Sequence, residues 1–291
     1  TWLTTRAWLL MLPLLIVMVG VIGWPLAETA RLSFTDAKLV GTGGNYVGFA
    51  NYTNMVTGNA FRRTLLTTVW FASASVAIEM VAGVLAALLL NQRFYGRTLL
   101  RALMILPWAL PTVVNATLWR LIYNPEYGAA NALLVQSGLL GDYRSWLGEP
   151  ASAMWAIILA DAWKNFPLVA LIALAALQAV PRDTIAASLV DGAGAFRRFI
   201  YVTLPHLAGP LMVALVLRTI EAFKVFDIIY AMTRGGPANG TAVISYYTYV
   251  TAFSDQNFGV GSAMAMLIVA IIAVLCLVYL RLIRSSEMSL L

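Results

Sequence analysis

Apolar residues run along this chain in six long blocks separated by shorter polar segments, near Trp8–Leu26, Leu65–Leu90, Leu99–Ile122, Ala151–Ala176, Leu207–Met232 and Val260–Ile283. A helix needs about 20 such residues to cross a hydrocarbon core of roughly 30 Å. Each block therefore predicts a spanning helix, and the expected fold is an all-α membrane protein with six transmembrane helices. The first block is too long for the apolar region of a signal peptide. A start at Thr1 rather than Met leaves room for residues before it.

Composition supports lipid as the main solvent. Of the 291 residues, 61% are hydrophobic and 11% charged, against roughly 25% charged in a soluble domain. A single cysteine, Cys276, excludes a disulfide within the chain. With one histidine besides, zinc or haem ligation by this chain is not expected. The net charge of +6 comes from cations beside the apolar blocks, which reads as membrane orientation and not as a nucleic-acid footprint. The 91–98 loop and the tail after span six are basic, including Arg93, Arg97, Arg281 and Arg284. Both termini are therefore expected in the cytoplasm, although Arg62-Arg63 at the outer end of span two weighs against this.

Spans four and five are separated by a polar insert far longer than a turn requires. Pro181 can open a short helix that Ala186-Ala187-Ser188-Leu189 continues. Asp191-Gly192 then breaks the chain. A second short helix is expected over Ala193–Val202, with Pro205 and Pro210 marking the start of span five. Such a pair reads as a knob for another protein, or as a plain connecting loop.

The spacing resembles the EAA motif of importer permeases in the ATP-binding-cassette (ABC) superfamily: Glu-Ala-Ala, three residues, Gly, nine residues, Ile-x-Leu-Pro. Here Ala186-Ala187-Ser188, Asp191-Gly192-Ala193 and Val202-Thr203-Leu204-Pro205 fall at those positions, with Ala186 replacing Glu and Val202 replacing Ile. "RALMILPWALPTVVNATLWRLIYNPEYGAAN" at 101–131 and "FKVFDIIYAMTRGGPANGTAVISYYTYVTAF" at 223–253 are similar to the maltose-type sugar permeases. The resemblance covers about 60–285 and is nearest to the first of the two permease subunits. Among carbohydrate importers the chain most resembles the actinobacterial trehalose systems.

That resemblance implies one transmembrane permease domain over 1–291, with an outer loop at 27–64 and a cytoplasmic coupling loop at 178–206. It implies a multi-pass protein of the bacterial cytoplasmic membrane. Its partners would be a second permease subunit, two ATP-binding-cassette subunits and an extracytoplasmic sugar-binding protein. ATP and Mg would be bound by the ATPase, since this chain has no G-x-x-x-x-G-K-[ST] loop. It would have no cofactor and catalyse no covalent step. The coupling residues implied are Ala186, Ala187, Ser188, Asp191, Gly192, Ala193, Leu204 and Pro205.

Ionisable residues inside a span cost at least about 2.5–3.5 kcal/mol on insertion scales, so they need a reason. Span four carries "DAWKNFP" at 161–167, and span five carries Arg218, Glu221, Lys224 and Asp227, alternating in sign every three residues. Such a ladder can be structural. Asp161, Asn165 and Leu168 share one helical stripe, and Asp161 and Ala222 fall at one depth, about 14 Å below the outer surface at 1.5 Å per residue. Carboxylate, amide and indole at one level suit a sugar. Matching to the maltose-type permeases implies a sugar lining of Asp161, Trp163, Asn165, Leu168, Arg218, Ala222 and Val225, with only Trp163 keeping the family residue type. Pro107 and Pro111 are expected to bend span three. Ala82, Gly83, Ala86 and Ala87 are expected to let helices approach. Other classes remain open: an ion-coupled secondary carrier using Asp161, Glu221 and Asp227, an intramembrane enzyme, or an ABC permease for a non-sugar polar solute.

Overall fold

The structure, a computed structural model, describes residues 11–41 and 44–288, without the side chains of residues 182 and 282–288. Trp8, Arg6 and Gly43 lie outside the described residues, as do the side chains of Arg182 and Arg284.

Among the described residues, helices long and apolar enough to cross a membrane are α1 (Met11–Leu32), α3 (Asn59–Asn91), α7 (Pro150–Ala179), α9 (Ala195–Phe223) and α12 (Phe258–Met288, apolar through Arg281). A bent pair, α4 (Arg97–Ala109) and α5 (Thr112–Ile122), makes a sixth span if it is taken as one. Shorter helices are α2 (Ala50–Thr57), α6 (Ala129–Gln136), α8 (Arg182–Val190), α10 (Asp227–Met232) and α11 (Ile244–Tyr249). The longest, α3, has 33 residues, roughly 50 Å at 1.5 Å per residue, and so extends past the hydrocarbon.

Span three bends at Pro111 as expected, α4 and α5 meeting at 99°. Pro111 forces Leu110 into extended backbone (φ −71°, ψ 137°) and itself has no N–H to donate. Two other expectations on continuity need correcting. Span five ends at Phe223 instead of Met232. Lys224 sits at the carbonyl end of α9 and Asp227 in the first turn of α10, each where the helix dipole favours its charge. The four-charge ladder is therefore cut after Glu221. Finally, no break separates the second coupling helix from span five. It begins at Ala195 rather than Ala193 and runs on into α9. A π turn over Phe199–Thr203 absorbs Pro205: the Leu204 amide donates to the Phe199 carbonyl, and His206 Nδ1 donates to the Val202 carbonyl at 2.7 Å.

The chain divides into two compact units. The larger takes Thr64–Tyr246 and the described residues from Ile272 onward. Its interior is built on the small-residue face of α7. Ala153, Ala156, Ala160, Ala170 and Ala173 are buried there, with Phe71, Ile157, Ile158, Ile228 and Ile229 filling the space between helices. Gly83 of α3 lets that approach happen. A Cβ added to it would stand 2.6 Å from the Cβ of Val169, and Ala87 one turn on is fully buried.

The smaller unit holds the described residues up to Arg63 together with Tyr247–Ile271. Here the 33–49 segment is tied by an isolated bridge between Thr35 and Tyr46. Asn51 Nδ2 donates to the carbonyls of Ser33 (2.9 Å) and Thr35 (2.8 Å), and the Gly259 amide donates to Ala37 O at 2.9 Å. Phe34, Tyr46, Phe49 and Tyr52 pack as one aromatic group. These hydrogen bonds tie the described residues of the segment to α2 and α12.

Candidate functional site

Partway along α7 and near the end of α9, side chains from the larger unit enclose a cavity of about 260 Å³. Four helices and a break wall it. Thr112 comes from the start of α5. Asp161, Lys164 and Asn165 come from α7, and Arg218, Glu221 and Ala222 from the last turns of α9. The broken stretch contributes Lys224, Val225 and Phe226, and α10 adds Asp227 and Ile228. Both helix interruptions, at Pro111 and after Phe223, therefore open onto this space.

One wall is a buried charge network. Arg218, 2% exposed, donates from Nε to Glu79 Oε2 at 2.6 Å and from Nη2 to Glu79 Oε1 at 3.1 Å. The two-pronged geometry is the one guanidinium and carboxylate favour. Arg218 Nη1 also donates to Glu221 on its own helix, and Nη2 lies 3.9 Å from Asp161 Oδ2. The Ser75 hydroxyl sits between two carboxylates, 2.8 Å from Asp161 Oδ2 and 3.1 Å from Glu79 Oε1. Asn165 Nδ2 donates to Asp161 Oδ1 at 3.0 Å. Spans two, four and five are joined through these groups. One guanidinium faces three carboxylates, so the wall as a whole is rich in acceptors.

Of the seven positions expected to line a sugar path, Asp161, Asn165, Arg218, Ala222 and Val225 share this cavity. Trp163 and Leu168 are not among its lining residues. Trp163 turns instead toward an aromatic group, its ring 5.8 Å from Trp119 and edge-on to it, while Leu168 is half-buried on α7. Sequence reasoning misses Glu79 and Ser75. A signal is there: Glu79 is the one charged residue between Thr64 and Asn91, and a lone acid within a span calls for a partner.

The residues expected to couple to an ATPase form a second feature. α8 ends in a Schellman motif, the Ala193 amide donating to Ser188 O at 3.0 Å and the Gly192 amide to Leu189 O at 3.1 Å. Gly192 has φ +72°, which that motif requires. Ala186, Ala187, Asp191 and Gly192 are exposed, whereas Ser188 is buried and its hydroxyl donates to Ile185 O at 2.7 Å. Leu204 and Pro205 lie within the continuous helix α9. Leu189, Val190 and Phe196 stand exposed on the same loop, Val190 at 89%, an apolar patch of the kind partners cover.

Five or six helices long and apolar enough to span a membrane, with a polar cavity at two helix breaks and an apolar-tipped loop, define a membrane permease. Residues 79–288 match the family described as "Binding-protein-dependent transport system inner membrane component". The trehalose/maltose transport system permease protein MalF of Thermococcus litoralis is 40% identical over 274 residues, 94% of this chain and 92% of that one. The trehalose transport system permease protein SugA of Mycobacterium tuberculosis is 32% identical over 278 residues, 95% of this chain and 88% of that one. In fold, the chain matches a crystal structure of a bacterial ABC transporter involved in import of the acidic polysaccharide alginate. That match has a TM-score of 0.84 at 22% identity, covering 97% of this chain and 96% of the other. The chain belongs to the family of binding-protein-dependent transport system inner membrane components, and is a multi-pass membrane protein.

Proposed function

We propose that the whole chain acts as one permease domain, forming half of the translocation path of an ATP-driven carbohydrate importer. A disaccharide is the solute this reading favours, and trehalose the first candidate, in line with what the relatives' names say of them. The observation that carries it is the meeting of Asp161, Asn165, Arg218, Ala222 and Val225 at one cavity. Sugar hydroxyls need paired donors and acceptors, which these groups offer, and Phe226 supplies an aromatic ring nearby. The volume, about 260 Å³, is just below the roughly 300–1,000 Å³ of complete small-molecule sites. A half-site completed by a second permease subunit fits that size.

In this reading a bacterial cytoplasmic membrane holds the chain with both termini inside. Two ATP-binding-cassette subunits bind ATP and Mg and dock on the 178–206 loop. An extracytoplasmic binding protein delivers the sugar. Closure of the ATPase subunits moves the loop, and because the second coupling helix is continuous with α9, the push reaches Arg218 and Ala222 along a stiff rod. The chain itself holds no cofactor and performs no covalent step.

The test is ATP hydrolysis by the assembled transporter with its binding protein, across a panel of disaccharides, peptides and amino acids. The expected result is stimulation by one disaccharide, lost in Gly192→Pro while assembly persists. Stimulation only by an amino acid or peptide overturns the sugar assignment. Normal stimulation of the variant overturns the coupling assignment.

A further inference from the structure

A second cavity, of about 550 Å³, lies where α3 and α7 end, among Asn91, Arg93, Arg97, Arg101, Gln178 and Ile185. Its chemistry is one-sided. Among the described residues, three guanidiniums line it and no carboxylate does. Among the described residues none of the three is in an ion pair. Arg97 and Arg101 are one turn apart on α4, so their charges repel unless an anion lies between them.

The local backbone builds this arrangement. Gly96 at φ +84° turns the chain sharply from the end of α3 into α4, bringing Arg97 and Arg101 back over the α3 terminus. Arg101 Nη2 donates to Leu90 O at 2.9 Å, and Arg97 Nη1 donates to Gln92 O at 3.3 Å. Each guanidinium has five N–H donors, and these bonds fix the group while using one of them. Arg101 Nε is buried with no hydrogen-bond partner. A buried donor without an acceptor is costly and marks a place for one. Capping of α3 explains one bond per arginine and leaves the remaining donors without a role.

We propose that this cavity binds a phosphoryl group, carried by an anionic phospholipid headgroup or arriving as free phosphate. Planar guanidiniums match phosphate oxygens two at a time. The site sits at the ends of two apolar helices, and basic pockets between spans recruit anionic lipid. Ile185 of α8 is part of its wall, so an occupant touches the coupling loop. The proposal stands whichever solute the central cavity carries.

The experiment is native mass spectrometry of the detergent-purified assembled transporter, titrated with phosphatidylglycerol or phosphatidylcholine, beside calorimetric titration with inorganic phosphate. Wild type is compared with Arg101→Gln and Arg97→Gln. A preference for phosphatidylglycerol that falls roughly five- to tenfold in the variants is expected for a lipid source. Phosphate binding that both variants weaken, with no lipid preference, assigns the source to free phosphate. Equal binding of every probe by wild type and variants overturns the proposal, as does a site closed to all probes in the assembled transporter. Should Arg101→Gln fail to assemble, Arg97→Gln decides alone, since among the described residues Arg97's side chain bonds only to the exposed loop carbonyl of Gln92.

Discussion

Arg218 on α9 grips both carboxylate oxygens of Glu79 on α3, at 2.6 and 3.1 Å, across 139 positions of sequence. Removing one partner of such a buried pair leaves a charge stranded, which costs roughly 3–5 kcal/mol. Glu79→Ala is therefore expected to lower the melting temperature of the purified transporter sharply. Replacing both together, Glu79→Leu with Arg218→Met, is expected to restore most of that stability while transport stays lost. Thermal melts and uptake on the same preparations check both halves. Full transport by the double variant would assign the pair a structural role only.

The approach of α3 to α7 rests on Gly83. A side chain there meets Val169 at 2.6 Å, counted from Cβ to Cβ, and overpacking of this kind costs about 1–3 kcal/mol. Gly83→Ala is expected to destabilise the bundle, and Val169→Ala in the same chain to recover part of the loss. Additive melting shifts would show that the two residues are not in contact.

Much of this is legible in the sequence. The small residues Ala82, Gly83, Ala86 and Ala87 announce a close helix contact, and helical rise alone puts Asp161 and the Arg218–Ala222 turn at one depth. Pro111 announces a bend, though not its 99° size, because the angle depends on what α4 and α5 pack against. Glu79 escapes notice as a partner because helical spacing links residues within a span and says nothing across 139 positions. Stripe and resemblance group Trp163 and Leu168 with Asp161. The structure turns the indole toward Trp119, a choice made by aromatic packing from another helix. The break after Phe223 is hidden by its composition, since "AFKVFDII" is apolar enough to continue a span.

Gly192 separates strain from steric bulk. It has open space around it, yet φ is +72°, a region that costs an L-residue roughly 1–2 kcal/mol. Gly192→Ala is expected to weaken sugar-stimulated ATP hydrolysis severalfold without loss of assembly. Gly192→Asn, which tolerates that backbone, is expected to retain most of it. Equal activity in all three chains would show that the turn is not stressed during coupling.

Within the central cavity, Asn165 Nδ2 donates to Asp161 Oδ1 at 3.0 Å and so helps hold that carboxylate in place. Asn165→Leu is expected to raise the KM for uptake about tenfold, as loss of one or two polar contacts worth roughly 1 kcal/mol each would do. Uptake kinetics at several sugar concentrations check it. A fall in maximal rate at unchanged KM would place Asn165 in the moving parts instead.

The central cavity as solute path is tested most directly by ATP-driven uptake of labelled trehalose into proteoliposomes. These hold the assembled transporter and its binding protein, with wild type compared against Ala222→Trp. Ala222 is buried in the cavity wall, and an indole there would occupy much of the 260 Å³ available. Accumulation by wild type and none by the variant is expected, with assembly and basal ATP hydrolysis retained. Wild-type accumulation matched by Ala222→Trp would overturn this and move the solute path away from the meeting of Asp161 and Arg218.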